Sequence, residues 1–382
     1  MLRTRLLALL SIGIGLLAPL LLAEVALRFL PVRTGLRTLP INAANPVRRF
    51  EPHRAFVFSR DWNFSVVNRG RTNNFGFVND QDYDSTARTP LLAVVGDSYV
   101  EAPMVPFPET LHGRLARCVG SSGRVYSFGA SGAPLSEYLG EAEYAKLRFR
   151  PDGLVVVVVG NDFDRSLRRY SGSVGFHLFR PDSSGRLRLE LRDYKPTLAR
   201  RIARHSALVR YVVLNLAGGV DAATQVLQGR TSRPKYVGNT EASYTPERLR
   251  DSRAVVDEAL KELPARSGLA PERIVLLVDA MRPDIYDPDS LKAAAGSYFG
   301  VMRRYLMEQA QARGFQVVDM EPLFERRYAL DGTKFEFPSD EHWNPAGHET
   351  AAAAVAATKA FRSLFPAACS ALAREADGVP KS

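Results

Sequence analysis

Leu91-Leu92-Ala93-Val94-Val95-Gly96-Asp97-Ser98 sets five apolar residues directly against a glycine, an acid and a serine. Five apolar residues without a polar break fit a strand buried on both faces, the kind a parallel sheet supplies. Glycine permits a sharp turn. The serine then stands at the carboxyl end of the strand, the edge of an open α/β sheet where ligands sit. Taken alone, the tripeptide 96–98 also fits an ordinary strand-to-helix turn capped by Asp97 or Ser98.

The same grammar recurs on both sides. Strand Arg124–Phe128 runs into Gly129-Ala130-Ser131-Gly132, and strand Leu154–Val159 runs into Gly160-Asn161-Asp162. Two more strands are expected at Ile274–Asp279 and Gln316–Asp319. Helices are expected at about Pro108–Cys118, Pro246–Leu263 and Tyr298–Arg313. A last, alanine-rich helix starts at Pro345, with Asn344 as N-cap and Pro345 at the first helical position. Strands alternating with helices imply a parallel sheet with right-handed crossovers. The expected fold class is α/β: a flavodoxin-like three-layer sandwich around a central five-stranded parallel sheet, plus an N-terminal transmembrane helix.

That helix is read from an apolar stretch, about Leu6 to Leu27, broken only by Ser11 and Glu24 and preceded by Arg3 and Arg5. About 20 apolar residues span a bilayer. A cleaved signal peptide is the competing reading, but Leu21 or Glu24 would occupy a position that wants a small residue. Arg3 and Arg5 favour a cytoplasmic amino end, against which stand Arg28, Arg33 and Arg37. The bulk of the chain is expected outside the cytoplasm, periplasmic or at the cell surface. Residues 1–28 are then a membrane anchor, 29–90 a juxtamembrane segment with short strands such as Phe64–Asn68, 91–368 the catalytic domain, and 369–382 a tail. An insertion at 163–250 interrupts the α/β rhythm, with loops at Pro181–Gly185 and Gly229–Asn239 flanking an amphipathic helix near Ala203–Leu216.

The 382 residues are 46% hydrophobic and 24% charged, a globular profile rather than a disordered one. Net charge is +10 and the pI about 9.7, which favours anionic partners. The arginines are spread along the chain, and no RRM, zinc-finger or helix-turn-helix pattern focuses them, so no nucleic-acid partner is expected. Two cysteines, Cys118 and Cys369, are too few and too far apart for a typical zinc site.

Asp340-Glu341-His342-Trp343-Asn344-Pro345 lies just before the last helix. A histidine there can take the serine proton and return it to a leaving group, and a nearby carboxylate can orient its ring. Asp340, two residues before His342, fits that role better than the adjacent Glu341. Gly132 offers close backbone approach and Asn161 a neutral amide donor, both suited to an oxyanion. Each element alone also fits a plain turn. Their convergence on one edge of one sheet is what points to catalysis.

These blocks resemble the SGNH, or GDSL-type, hydrolase superfamily, over about residues 64–363. The run from His342 to His348 and the stretch Asn73-Asn74-Phe75-Gly76-Phe77 are similar to its alginate O-acetyltransferase-like, membrane-anchored branch. The resemblance implies Ser98 as nucleophile, His342 as base and Asp340 as its orienter. It implies an oxyanion site from the Ser98 and Gly132 N–H groups and the Asn161 side chain. It implies no metal or cofactor, acylated carbohydrate or small-ester substrates, and an acyl-donor membrane partner for a transferase. Relatives often carry glycine where this chain has Ala102. His348 matches a common residue of the block but is expected to be structural; His53, His112, His177 and His205 have no motif around them. Trp343 either packs the loop or lines an acyl pocket. In a flavodoxin-like order the helices bearing Cys118 and preceding Cys369 lie side by side, which leaves a disulfide or two separate thiols.

Four functions remain open. An esterase that transfers the acyl group to water and an acyltransferase use the same triad. A non-catalytic glycan-binding envelope protein would not need Ser98 and His342 together. A nucleotide-binding protein would need the G-x-G-x-x-G or P-loop pattern that the first strand lacks.

Overall fold

Residues 2–216, 235–366, 368–370 and 372 are described by a computed structural model. The loop expected at Gly229–Asn239 begins outside these residues, and most of the tail 369–382 lies outside them. The five expected strands form one sheet: β1 (Leu91–Val95), β2 (Arg124–Ser127), β3 (Gly153–Val158), β4 (Ile274–Val278) and β5 (Gln316–Asp319). Their spatial order is β5-β4-β3-β1-β2, and every pairing is parallel. This is the flavodoxin-like order, with its switch point between β1 and β3.

The apolar runs explain the layers. Successive strand side chains point to opposite faces. Leu154, Val156 and Val158 of β3 join one buried cluster, and Val155, Val157 and Val159 join the other. The first cluster is closed by helices over Leu135–Phe149, Pro246–Ser267 and Tyr298–Ala312. The second is closed by helices over Leu111–Val119 and Pro345–Ala356. Caps start these helices where polar residues precede apolar ones. The Thr110 hydroxyl accepts from the Gly113 N–H at 3.0 Å, and Asn344 Oδ1 accepts from the Ala346 and Gly347 N–H groups at 3.0 Å each.

Helices Leu111–Val119 and Pro345–Ala356 lie together. His348 Nδ1 accepts from the Leu111 N–H at 3.1 Å, and Arg114 pairs with Glu349 at 3.3 Å. Burial pushes the His348 ring well below its ordinary range, so it stays neutral and braces the two helices. Cys118 and Cys369 are joined by a disulfide at this end, with their Cα atoms 5.4 Å apart.

Residues ahead of β1 pack into the same body. Val47, Phe77 and Tyr83 belong to the first core cluster, with the Tyr83 ring 4.0 Å from that of Tyr126. In the Asn73–Phe77 stretch, Asn73 Oδ1 accepts from the N–H groups of Phe75 and Phe77 at 3.0 Å. Gly76 takes φ +84°, and a Cβ there would lie 2.1 Å from the Phe50 carbonyl oxygen, so only glycine closes this turn. The short strand expected from Phe64 begins at Val66, because Phe64 sits in a left-handed turn at φ +56°. It pairs antiparallel with Ala55–Arg60.

The helix expected near Ala203–Leu216 is broken into Leu198–Ala203, Ala207–Arg210 and a wide turn over Tyr211–Asn215. Thr197 and Ser206 each cap a new start, which is where the chain bends. At the amino end, Leu2–Leu27 forms one helix, designated α1, with Pro19 inside it. Among the described residues, no helix is long and apolar enough to cross a membrane. The side chains of Leu2, Ala8, Leu9 and Ile12 of α1 lie outside that description.

Candidate active site

The first turn is built by acids beneath it. Gly96 follows β1, and its N–H donates to Glu141 Oε2 at 3.1 Å. Asp97 caps the one-turn helix Ser98–Glu101, its Oδ1 accepting from the Tyr99 N–H at 2.9 Å. Asp162 closes the turn after β3, its Oδ2 accepting from the Val159 N–H at 2.8 Å. Burial raises Asp97 to about 6 and lifts Glu141 and Asp162 well above the carboxylate range, where neighbouring acids add repulsion. Ala102 ends the short helix at φ +43°, ψ +47°, the left-handed conformation for which glycine is the usual choice.

Ser98 is half-buried at the head of that helix. Its Oγ lies 2.7 Å from His342 Nε2 and 3.3 Å from Asp97 Oδ2. On the other side of the ring, His342 Nδ1 bonds Asp340 Oδ1. Ser98, His342 and Asp340 therefore form one connected chain. Gly132 and Asn161 follow β2 and β3 at the same carboxyl edge. Gly132 takes φ +82°, and nothing lies within 4 Å of where a Cβ would be. The Asn161 N–H donates to Asn239 Oδ1 at 3.1 Å, which fixes that turn.

The Asp340–Trp343 segment was expected as a loop. It is a short strand paired antiparallel with Glu336–Phe337. A buried network holds it: Tyr99 Oη and Arg282 Nη1 both donate to the Glu341 carbonyl oxygen, at 2.9 and 3.1 Å. Arg282 Nη2 pairs with Asp279 Oδ2 at 2.7 Å, and the Trp343 indole N–H donates to Asp279 Oδ1 at 2.8 Å. Trp343 is thus a fully buried packing residue with its one donor satisfied.

Arg60 is a further member that sequence reasoning missed. Its Nη1 pairs with Asp340 Oδ2 at 2.8 Å. Burial alone would raise Asp340, but the bond to His342 and then the Arg60 charge outweigh it and hold the carboxyl at about 2, below its ordinary 3.8. A carboxyl depressed in this way adds stability that is present above about pH 4 and lost as the pH falls toward 2. Arg60→Ala is expected to move the Asp340 titration upward and to cost about 1–2 kcal/mol at pH 7, with most of that difference gone only below about pH 2. Urea unfolding at the two pH values reads it; equal losses at both would show that Arg60 acts by packing rather than by charge.

No such signal marks Arg60 in the sequence, since its hairpin reaches the site only through tertiary packing. Asp279 did carry one: it is a polar residue at the carboxyl end of β4, on the edge where the other candidates were sought.

A serine, a histidine and an aspartate connected in this order at the carboxyl edge of a parallel sheet is the geometry of a serine hydrolase. Residues 240–369 match the model of a family described as SGNH hydrolase-like domain, acetyltransferase AlgX. The matched stretch is about a third of the chain; it holds Asp340 and His342 but not Ser98. No curated protein matches the chain in sequence.

Among solved structures, an α/β hydrolase enzyme from the metagenome of Lake Arreo, Spain, is similar at 15% identity and a TM-score of 0.39, covering 73% of this chain and 98% of its own. A lipase/acylhydrolase from Enterococcus faecalis is similar at 14% identity and 0.37, covering 73% and 97%. A two-domain esterase active on acetylated mannans, co-crystallised with mannopentaose, is similar at 10% identity and 0.37, covering 74% and 51%. Likenesses this distant carry no function across.

Proposed function

We propose that the chain is a membrane-anchored serine esterase acting on O-acyl, chiefly O-acetyl, esters of an extracytoplasmic carbohydrate. The observation that carries this reading is the 2.7 Å approach of Ser98 Oγ to His342 Nε2, with Nδ1 of the same ring bonded to Asp340.

The chemistry follows from those contacts. Ser98 Oγ attacks the ester carbonyl carbon while its proton passes to His342 Nε2. Asp340 keeps the ring turned toward Ser98 and stabilises the imidazolium. The carbonyl oxygen becomes an oxyanion, met by the N–H groups of Ser98 and Gly132 and by the Asn161 side chain. His342 returns the proton to the departing alcohol, the carbon–oxygen bond breaks, and an acyl-Ser98 remains. Water, deprotonated by His342, then releases the acid and regenerates the serine.

The same intermediate supports a second reading, in which a sugar hydroxyl replaces water and the enzyme is an O-acyltransferase supplied by an acyl-donor membrane protein. The acetyltransferase description of the matching family favours it. The exposed leucines of α1 support an anchor, and a disulfide at Cys118–Cys369 fits an oxidising compartment outside the cytoplasm.

A fluorophosphonate probe tests the nucleophile without a known substrate. The full chain in detergent should gain one adduct, on the peptide carrying Ser98. An adduct on another serine, or none with folded protein, would remove the triad reading. Deacylation timed with and without added oligosaccharide then separates hydrolysis from transfer.

A further inference from the structure

A cavity of about 410 Å³ lies between the chain that follows α1 and the helices of the insertion. Arg33, Arg37 and Arg48 line one side, and Arg200, Arg201, Arg204 and Arg210 line the other. Glu101 is the one acid in its wall among the described residues. The Nε atoms of Arg48, Arg204 and Arg210 are buried with no hydrogen-bond partner among the described residues. Burial, and the charges of Arg60 and Arg48, push the Arg33 guanidinium below its ordinary value against the pull of Glu101 and Asp340. Seven arginines against one acid in the wall, with Arg37 paired to Glu51 outside it and three of the others holding buried Nε donors that no described residue meets, form a site for an anion with several acceptor oxygens.

Its place in the fold selects among anions. The Glu24 carboxylate, near the end of α1, accepts from Ser206 Oγ at 2.8 Å and from the N–H groups of Ala207 and Leu208 at 3.0 and 2.9 Å. Leu27 packs with Val32 and Ala207. The insertion is therefore fixed to the foot of α1. Around that foot, large apolar side chains face outward: Phe29 is 85% exposed, Leu198 and Ile202 are each 64% exposed, and Val212 and Val213 are about half exposed. Arginines interleaved with outward apolar residues make an interfacial surface, with charges for headgroups and apolar groups for the acyl boundary. Glu101 and Ser131 also line the cavity. Glu101 shares the one-turn helix of Ser98, and Ser131 precedes Gly132.

We infer that this cavity binds the phosphate of an anionic membrane lipid, seating it between the bilayer surface and the Ser98 edge. The inference rests on the anchor reading of α1. An acidic glycan would satisfy the arginines but gives no account of the apolar side chains at the cavity's rim, so the lipid is the occupant the observations favour.

The test uses the full chain in neutral detergent, loaded with equal amounts of phosphatidylglycerol and phosphatidylcholine and examined by native mass spectrometry. Phosphatidylglycerol should be retained about tenfold over phosphatidylcholine. Arg200→Gln with Arg201→Gln should bring the two to parity; both residues are exposed, so the fold is not at stake, and a thermal melt checks it. Arg200→Lys with Arg201→Lys should keep part of the preference, since it keeps the charge but loses the planar fork. Parity in the wild type, or a preference that survives the glutamine pair, overturns the inference. So does full displacement of the lipid by millimolar inorganic phosphate or by an oligouronate, which would make the site one for a free anion or a polymer. Alkaline extraction of membranes reads the anchor separately: a chain that washes off while keeping its lipid preference in detergent refutes the anchor and not the cavity.

Discussion

Replacing Ser98 by alanine is expected to lower kcat for 4-nitrophenyl acetate by about 10⁴-fold or more, with KM little changed. The alanine removes the hydroxyl oxygen that lies 2.7 Å from His342 Nε2, the proposed nucleophile. It leaves the surrounding frame alone: Asp97 still caps the short helix, Glu141 still holds the Gly96 N–H, and the Gly132 and Asn161 turns are unaffected. Substrate binding should therefore persist while the chemistry stops. Members of a triad act as a unit, so the Ser98→Ala/His342→Ala pair should lose about as much as either single change rather than the product of the two. The measurement is steady-state hydrolysis by the three variants, each shown folded by its melting curve. A Ser98→Ala enzyme that keeps a tenth of the wild-type rate would mean that the turnover belongs to another group, and the role given to Ser98 would be lost.

Legibility in the sequence followed locality. The five sheet strands were readable because each is a short apolar run closed by a turn residue, and those signals do not depend on distant partners. Ser98, Gly132, Asn161, Asp340 and His342 could be nominated because each directly follows a strand or precedes a helix that the pattern had already placed. Other features depend on contacts made across the chain. The Asp340–Trp343 strand exists because Glu336–Phe337 pairs with it and Arg282 reaches its carbonyl, and nothing local in Asp-Glu-His-Trp specifies an extended hairpin arm. Arg60 reaches Asp340 from a hairpin whose strand was expected two residues early, since nothing in Phe64 announces a left-handed backbone. The insertion helix looked continuous by periodicity, and the Ser206 cap that breaks it is bound to Glu24, which lies in α1 far away in sequence.

The network behind the histidine gives the second large effect, on stability and rate together. Arg282 and Asp279 side chains are each 3% exposed and pair at 2.7 Å. Removing one partner of a buried ion pair leaves the other charge without compensation, at a cost of about 3–5 kcal/mol. Arg282→Met is therefore expected to lower the unfolding free energy by about that amount. The same change strips a donor from the Glu341 carbonyl, and Glu341 stands between Asp340 and His342. A displacement of about 1 Å at a catalytic group can cost about 10²-fold in rate, so kcat should fall by an amount of that order even where the protein is fully folded. The pair Asp279→Asn with Arg282→Met separates the two effects. Asparagine keeps an acceptor for the Trp343 indole and removes the orphaned charge, so most of the lost stability should return. The Glu341 carbonyl would still lack its arginine donor, so the rate should stay low. Urea unfolding and steady-state kinetics on the same three proteins read both quantities. If the double variant recovered rate along with stability, Arg282 would be holding the fold and not the histidine; if Arg282→Met unfolded at the wild-type urea concentration, the buried pair would not be a stabilising element at all.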